Sequence, residues 1–136
     1  MNLYAQFGTD RNLEQSGVIV SYGDEGSPEF KIARMGGSNK NYKKAVEEVH
    51  RKHKHAINSD SLSEEFALKI NKEVFVSTIL LDWKNVEDKN GNVLELNEKN
   101  ALKLFHDLPD LYSDLVLQAQ NANLFREKEI EAEAKN

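Results

Sequence analysis

The chain has 136 residues, 39% of them apolar and 30% charged, which is enough for one domain with a buried core and solvated faces. It contains no cysteine, excluding disulfides and thiolate metal sites, and its net charge of −5 disfavours a general nucleic-acid binder. The start, MNLYAQFGTDRN, lacks the basic-then-apolar pattern of a signal peptide, and the longest apolar cluster, Val74 to Leu81, is too short to span a bilayer. The expectation is a soluble protein of a reducing compartment, with no membrane partner.

Residues 1–35 read as short strands and turns. Ser16–Tyr22 is β-rich, Gly23–Pro28 is turn material, and Phe30 and Ile32 alternate with Lys31, predicting a small antiparallel sheet or hairpin. Gly36-Gly37 breaks the chain, and Ser38 or Asn39 is placed to cap a helix from Asn39 to about Lys54. That helix carries Tyr42, Ala45, Val46, Val49 and His53 at helical spacing, with its lysines outside.

His55–Ser61 reads as a connection. Ser61 or Ser63 caps the next helix, predicted from Glu64 to Trp83; a strand at Val74–Leu81 is the alternative, because Val, Ile and Thr favour sheets. Val86–Leu96 predicts a hairpin closed by a two-residue type I′ turn at Asn90-Gly91. Asn97 caps a short helix with Ala101, Leu102, Phe105 and Leu108, and Pro109 ends it while starting the next. The last helix carries Leu111, Leu115, Ala119, Ala122, Leu124 and Phe125, and a charged segment follows Arg126. The predicted fold is therefore α+β: a mainly helical single domain over residues 1–125 with a small N-terminal antiparallel β element and one β-hairpin. Residues 126–136 are expected to be a flexible charged tail.

The charge is uneven. Between Lys40 and His55 six basic residues face two acidic ones, a local +4 that leaves −9 on the rest of the chain. One basic helix on an acidic molecule is a docking asymmetry.

Catalytic and metal chemistry finds little support. His50, His53 and Glu47 share a helix face, but Lys44, Arg51, Lys52 and Lys54 surround them, and a solvated basic helix end explains the same letters. Gly36-Gly37-Ser38-Asn39-Lys40 lacks the spacing of a phosphate loop, and Asp88–Asn92 has its glycine two positions early for a calcium loop. No nucleophile carries a flanking signature. Neither an enzyme nor a cofactor or metal site is expected.

The order of features is more informative. FKIARMGGSNKNYKKAVEEV (Phe30–Val49) precedes a segment closing in ILLDW (Ile79–Trp83). VEDKNGNVLELNEKNALKLFHDLPDL (Val86–Leu111) follows, and then QNANLF (Gln120–Phe125). This ordered set resembles the tail assembly chaperones of long-tailed, siphovirus-type bacteriophages over Phe30–Phe125. The resemblance implies a non-enzymatic protein of the host cell cytoplasm. It would bind the tape measure protein, keep it soluble and promote assembly of the tail tube protein around it, without being retained in the virion.

It further implies self-association into a homo-oligomer and, in many members, a longer form made by a −1 ribosomal frameshift. Codons GCA-AAA-AAC for Ala134-Lys135-Asn136 would supply a slippery heptamer. For the partner surface the expectation is the basic helix, through Lys43 and Lys44, with the apolar positions Leu111, Leu115, Leu124 and Phe125. The alternative is a structural or interaction protein that stays in the phage particle, with metal binding or enzymatic activity more distant.

Overall fold

Glycine breaks, asparagine caps and one proline divide the chain into short elements. The computed structural model describes residues 2–127. In order these form α1 (Leu3–Phe7), α2 (Arg11–Ser16), β1 (Val18–Ser21), β2 (Glu29–Ile32), α3 (Lys40–Lys52) and α4 (Lys54–Asn58). They continue with α5 (Glu64–Thr78), β3 (Leu80–Lys84), α6 (Glu98–Asp107), α7 (Pro109–Gln120) and a 3-10 helix, Ala122–Phe125. The result is an α+β domain in which helices pack on one small antiparallel sheet.

The strand order is β1-β2-β3, so β2 is central. Phe30 of β2 lies opposite Trp83 of β3, their rings meeting edge-on with centroids 6.0 Å apart. On the other side Val20 pairs with Phe30 and Val18 with Ile32. The inner face of the sheet thus delivers Phe30, Ile32, Leu80 and Trp83 into the core. The helices contribute Phe75, Phe105 and Tyr112, three rings with centroids 5.4 to 5.8 Å apart; Phe75 meets the other two edge-on, aligning ring edges with electron-rich faces.

The capping signals read as expected. Asn39 Oδ1 accepts from the Tyr42 amide and its Nδ2 donates to the Arg34 carbonyl at 2.9 Å, which satisfies a side chain that is almost wholly buried. Ser63 and Asn97 cap α5 and α6, and Pro109 occupies the first turn of α7.

Four expectations are corrected. First, residues 2–17 are not strands and turns but hold two short helices, capped by Asn2 and Asp10. Second, α5 does not run to Trp83. The hydroxyls of Ser77 and Thr78 both donate back to the Val74 carbonyl, and the helix gives way to β3. A register irregularity opposite Lys31 and Ile32 leaves Leu80 and Trp83 as the buried residues of β3. That three-residue spacing continues the rhythm of Phe75 and Ile79 and imitates a helix.

Third, the Asn90-Gly91 turn is not type I′. Gly91 has φ +81° but Asn90 is not left-handed. The loop is built instead on Asp88, whose carboxylate accepts from the amides of Asn90 and Asn92 while its carbonyl accepts from Gly91. A single bridge, Glu87 to Val93, stands where two strands were expected. Fourth, the last helix stops at Gln120, and Leu124 and Phe125 lie in the 3-10 helix. Within the expected connection at His55–Ser61, most of α4 also forms.

The segment before α2 is joined to the stretch that follows the 3-10 helix. The Asp10 amide donates to the Phe125 carbonyl at 2.8 Å, Thr9 bridges to Arg126, and Glu127 N–H donates to the Gly8 carbonyl. Arg126 and Glu127 are therefore anchored to the domain. The rest of the expected tail, with the Ala134-Lys135-Asn136 ending, lies outside the described residues.

Candidate functional site

The expected partner residues separate into three groups. Lys43 and Lys44 are exposed on α3, and no salt bridge engages them among the described residues. Leu111 and Leu124 are half-buried. Leu115 and Phe125 are fully buried, with 0% exposure. Leu115 belongs to the main core, and Phe125 is sealed where the 3-10 helix meets the N-terminal segment. Helical spacing marks them as apolar but not which way they face, and in the single chain both face inward.

Leu111 sits on a surface that spacing alone does not reveal. The α6–α7 elbow at Leu108-Pro109 turns sharply, because proline holds the preceding residue out of helical geometry. This leaves Leu108 half exposed at 49%. Leu104 and Leu111 flank it, while Tyr22 from the end of β1 and Val86 from the segment after β3 close an apolar hollow of about 250 Å³. A second hollow of about 540 Å³ shares Leu104, Leu108 and Glu87 and extends past Leu94 to Lys103 and Asp107. The two form one trough with an apolar floor and a charged rim.

The rim is fixed by local bonds. Lys103 donates to Asp107 at 2.9 Å, one turn along α6, and this bond holds the Asp107 carboxyl below its ordinary range. On the opposite wall the Tyr22 hydroxyl donates to Asp114 at 2.5 Å, tying β1 to α7. Burial, then the hydrogen bond and charge of Asp114, push the Tyr22 hydroxyl well above its ordinary value, so it stays a donor at physiological pH. Tyr22 also meets Phe30 edge-on at 5.8 Å, so the trough wall rests directly on the core.

A separate hollow of about 650 Å³ lies between α5 and α6, where Phe66 and Leu68 are 41% and 47% exposed beside Lys69 and His106. Of the histidines considered for metal binding, His53 instead packs edge-on against Phe66, its ring centroid 5.5 Å away. No group of three metal-ligating side chains converges among the described residues.

Leu104, Leu108, Tyr22 and Val86 were not legible as a site. They come from three separate stretches of chain, and the one local signal is Pro109, which holds the residue before it out of the helix. Among the described residues no helix is long and apolar enough to cross a membrane.

Comparison with protein families matches residues 37–136 to a family described as YdaY prophage protein. Comparison with curated proteins finds no match, and comparison with solved structures finds none either.

Proposed function

Because the chain belongs to the YdaY prophage protein family, and is therefore a phage-derived protein, we propose that it acts as a phage tail assembly chaperone. In this reading it is non-enzymatic and works in the host cytoplasm. It binds the tape measure protein of its own phage, keeps that long helical client soluble, and promotes assembly of tail tube protein around it.

The observation that carries the reading is the trough at the α6–α7 elbow. Its apolar floor of Leu104, Leu108 and Leu111 and its charged rim suit one face of an amphipathic helix. Nearby ionisable groups are engaged in structural bonds rather than poised for proton transfer: Asp107 with Lys103, and Tyr22 with Asp114. The order of sequence features from Phe30 to Phe125 supports the same reading.

Co-expression with the tape measure protein tests it. The wild-type chain is expected to hold the client in the soluble fraction and co-purify with it. Leu108→Glu and Leu111→Glu each place a charge on the trough floor and are expected to weaken capture about thirtyfold, the scale of a binding hot spot. Retained client binding in both variants would move the contact elsewhere. Charge reversal at Lys43 and Lys44 in the same assay is expected to reduce capture more at low than at high salt, as exposed charges are screened; no change would remove α3 from the surface. Presence of the chain in purified particles would favour a virion component instead.

A further inference from the structure

Among the described residues the open edge of β1 lacks the protections that edge strands usually carry. Tyr22 N–H donates to the Pro28 carbonyl at 3.0 Å, and the β1–β2 register then makes Val20/Phe30 and Val18/Ile32 the hydrogen-bonded pairs. Ile19 and Ser21 therefore turn their backbone N–H and C=O groups away from β2, to the open edge. Neither backbone bonds to another element among the described residues.

Natural edge strands carry lysine, proline, a bulge or a cover to discourage pairing. Here the strand from Gly17 to Tyr22 carries no charge and no proline. The register irregularity lies between β2 and β3, not on β1. On the outer face Ile19 stands beside Lys31 and Ser21 beside Glu29, so β1 is the uncharged margin of a charged face. Ile19 is 56% and Leu81 40% exposed, and Leu81 lies so close over Gly17 that a Cβ there would come within 2.7 Å of its Cδ1.

We propose that the β1 edge pairs with β1 of a second copy of this chain, antiparallel about a two-fold axis at Val20. In that register Ile19 of one copy faces Ser21 of the other. The outward groups of both residues then form four backbone hydrogen bonds, and the two sheets become one continuous sheet. A second copy is favoured over an unrelated strand by self-complementarity. Because Gly17–Tyr22 is uncharged, the isologous register sets no like charges opposite each other. It also brings the exposed Ile19 side chains of the two copies onto the same face. The inference does not rest on the client reading, since it concerns the purified chain alone.

Sedimentation equilibrium of the purified full chain tests it, together with amide hydrogen exchange. The expected result is a two-copy mass, with Ile19 and Ser21 amides protected at high concentration and fast on dilution. Ile19→Lys puts a charge on the edge, and Ser21→Pro removes an outward backbone donor that bonds nothing within one copy, along with the exposed Ser21 hydroxyl's bonds to Gly23 and Ser27. Each is expected to give a one-copy mass with an unchanged far-UV circular dichroism spectrum. A one-copy mass for the wild type overturns the proposal, as does a two-copy mass that neither substitution lowers. Ile19 and Ser21 amides that stay fast in the pure chain and slow only when a client is added overturn it too, in favour of a strand from the client.

Discussion

A chain cut to residues 37–136 is expected to lose its cooperative fold, although that span is the part matched by the family. The cut removes β1 and the central strand β2, leaving β3 with no partner in the sheet. It also removes Phe30 and Ile32, which are 2% and 0% exposed. Burial of one such side chain contributes about 1.5–3 kcal/mol. Two of them, about 3–6 kcal/mol together, reach the lower end of the roughly 5–15 kcal/mol that holds a domain together, before the lost ladder is considered. Trp83 would lose the ring it meets edge-on, and the hydrogen bond between Asp10 and Phe125 would go with α2. Thermal unfolding followed by far-UV circular dichroism checks this. The full chain is expected to give one sigmoidal transition and the truncated chain none. A truncated chain that melts cooperatively near the full-length temperature would show that residues 1–36 decorate a fold completed without them.

That expectation bears on what the sequence could convey. The helices α3, α6 and α7 were legible because caps and stops are local: Asn39, Asn97 and Pro109 act within a turn of themselves. The two strands β1 and β2 were legible from alternation. The α5–β3 boundary was not, because the irregularity in β3 spaces Leu80 and Trp83 as a helix would. The helices α1 and α2 are five and six residues long, too short for a periodic pattern to emerge.

Facing was the harder matter. Leu111 and Leu115 sit four residues apart on α7, so they share a stripe, yet one lines the trough and the other is core. Which of them meets solvent depends on Tyr22 and Val86, which arrive from distant parts of the chain. Glu14 escaped notice for the same reason: its partners Arg34 and Ser38 lie twenty and twenty-four residues away.

Arg34→Met is expected to destabilise the protein by about 3 kcal/mol and to change the direction of its response to acid. Glu14 is 1% exposed, and its carboxylate accepts from the Arg34 guanidinium on Oε2 and from the Ser38 hydroxyl on Oε1 at 2.7 Å. Burial alone would raise its pKa, but the hydrogen bonds from Ser38 and Arg34 and the Arg34 charge outweigh burial and hold it below the ordinary carboxylate range. The folded state therefore binds this proton more weakly than the unfolded chain. The stabilisation is complete above the ordinary carboxylate pKa and is lost as pH falls through the depressed folded value.

Without Arg34, desolvation, already the largest single influence, is opposed only by Ser38, and the folded pKa should move above the unfolded one. The variant would then be relatively more stable in mild acid and lose stability as pH rises through that value. Urea unfolding across an acid-to-neutral series reads both slopes. Parallel pH profiles for wild type and variant would mean that Arg34 contributes packing rather than charge. The paired substitution Glu14→Leu with Arg34→Met separates these directly. Removing both charges leaves no uncompensated carboxylate, so the double variant is expected to recover most of the loss. With Glu14 and Arg34 in place, the loop beside them should accept no side chain. Gly37 has φ +56°, and a Cβ there would come within 2.0 Å of Glu14 Oε2.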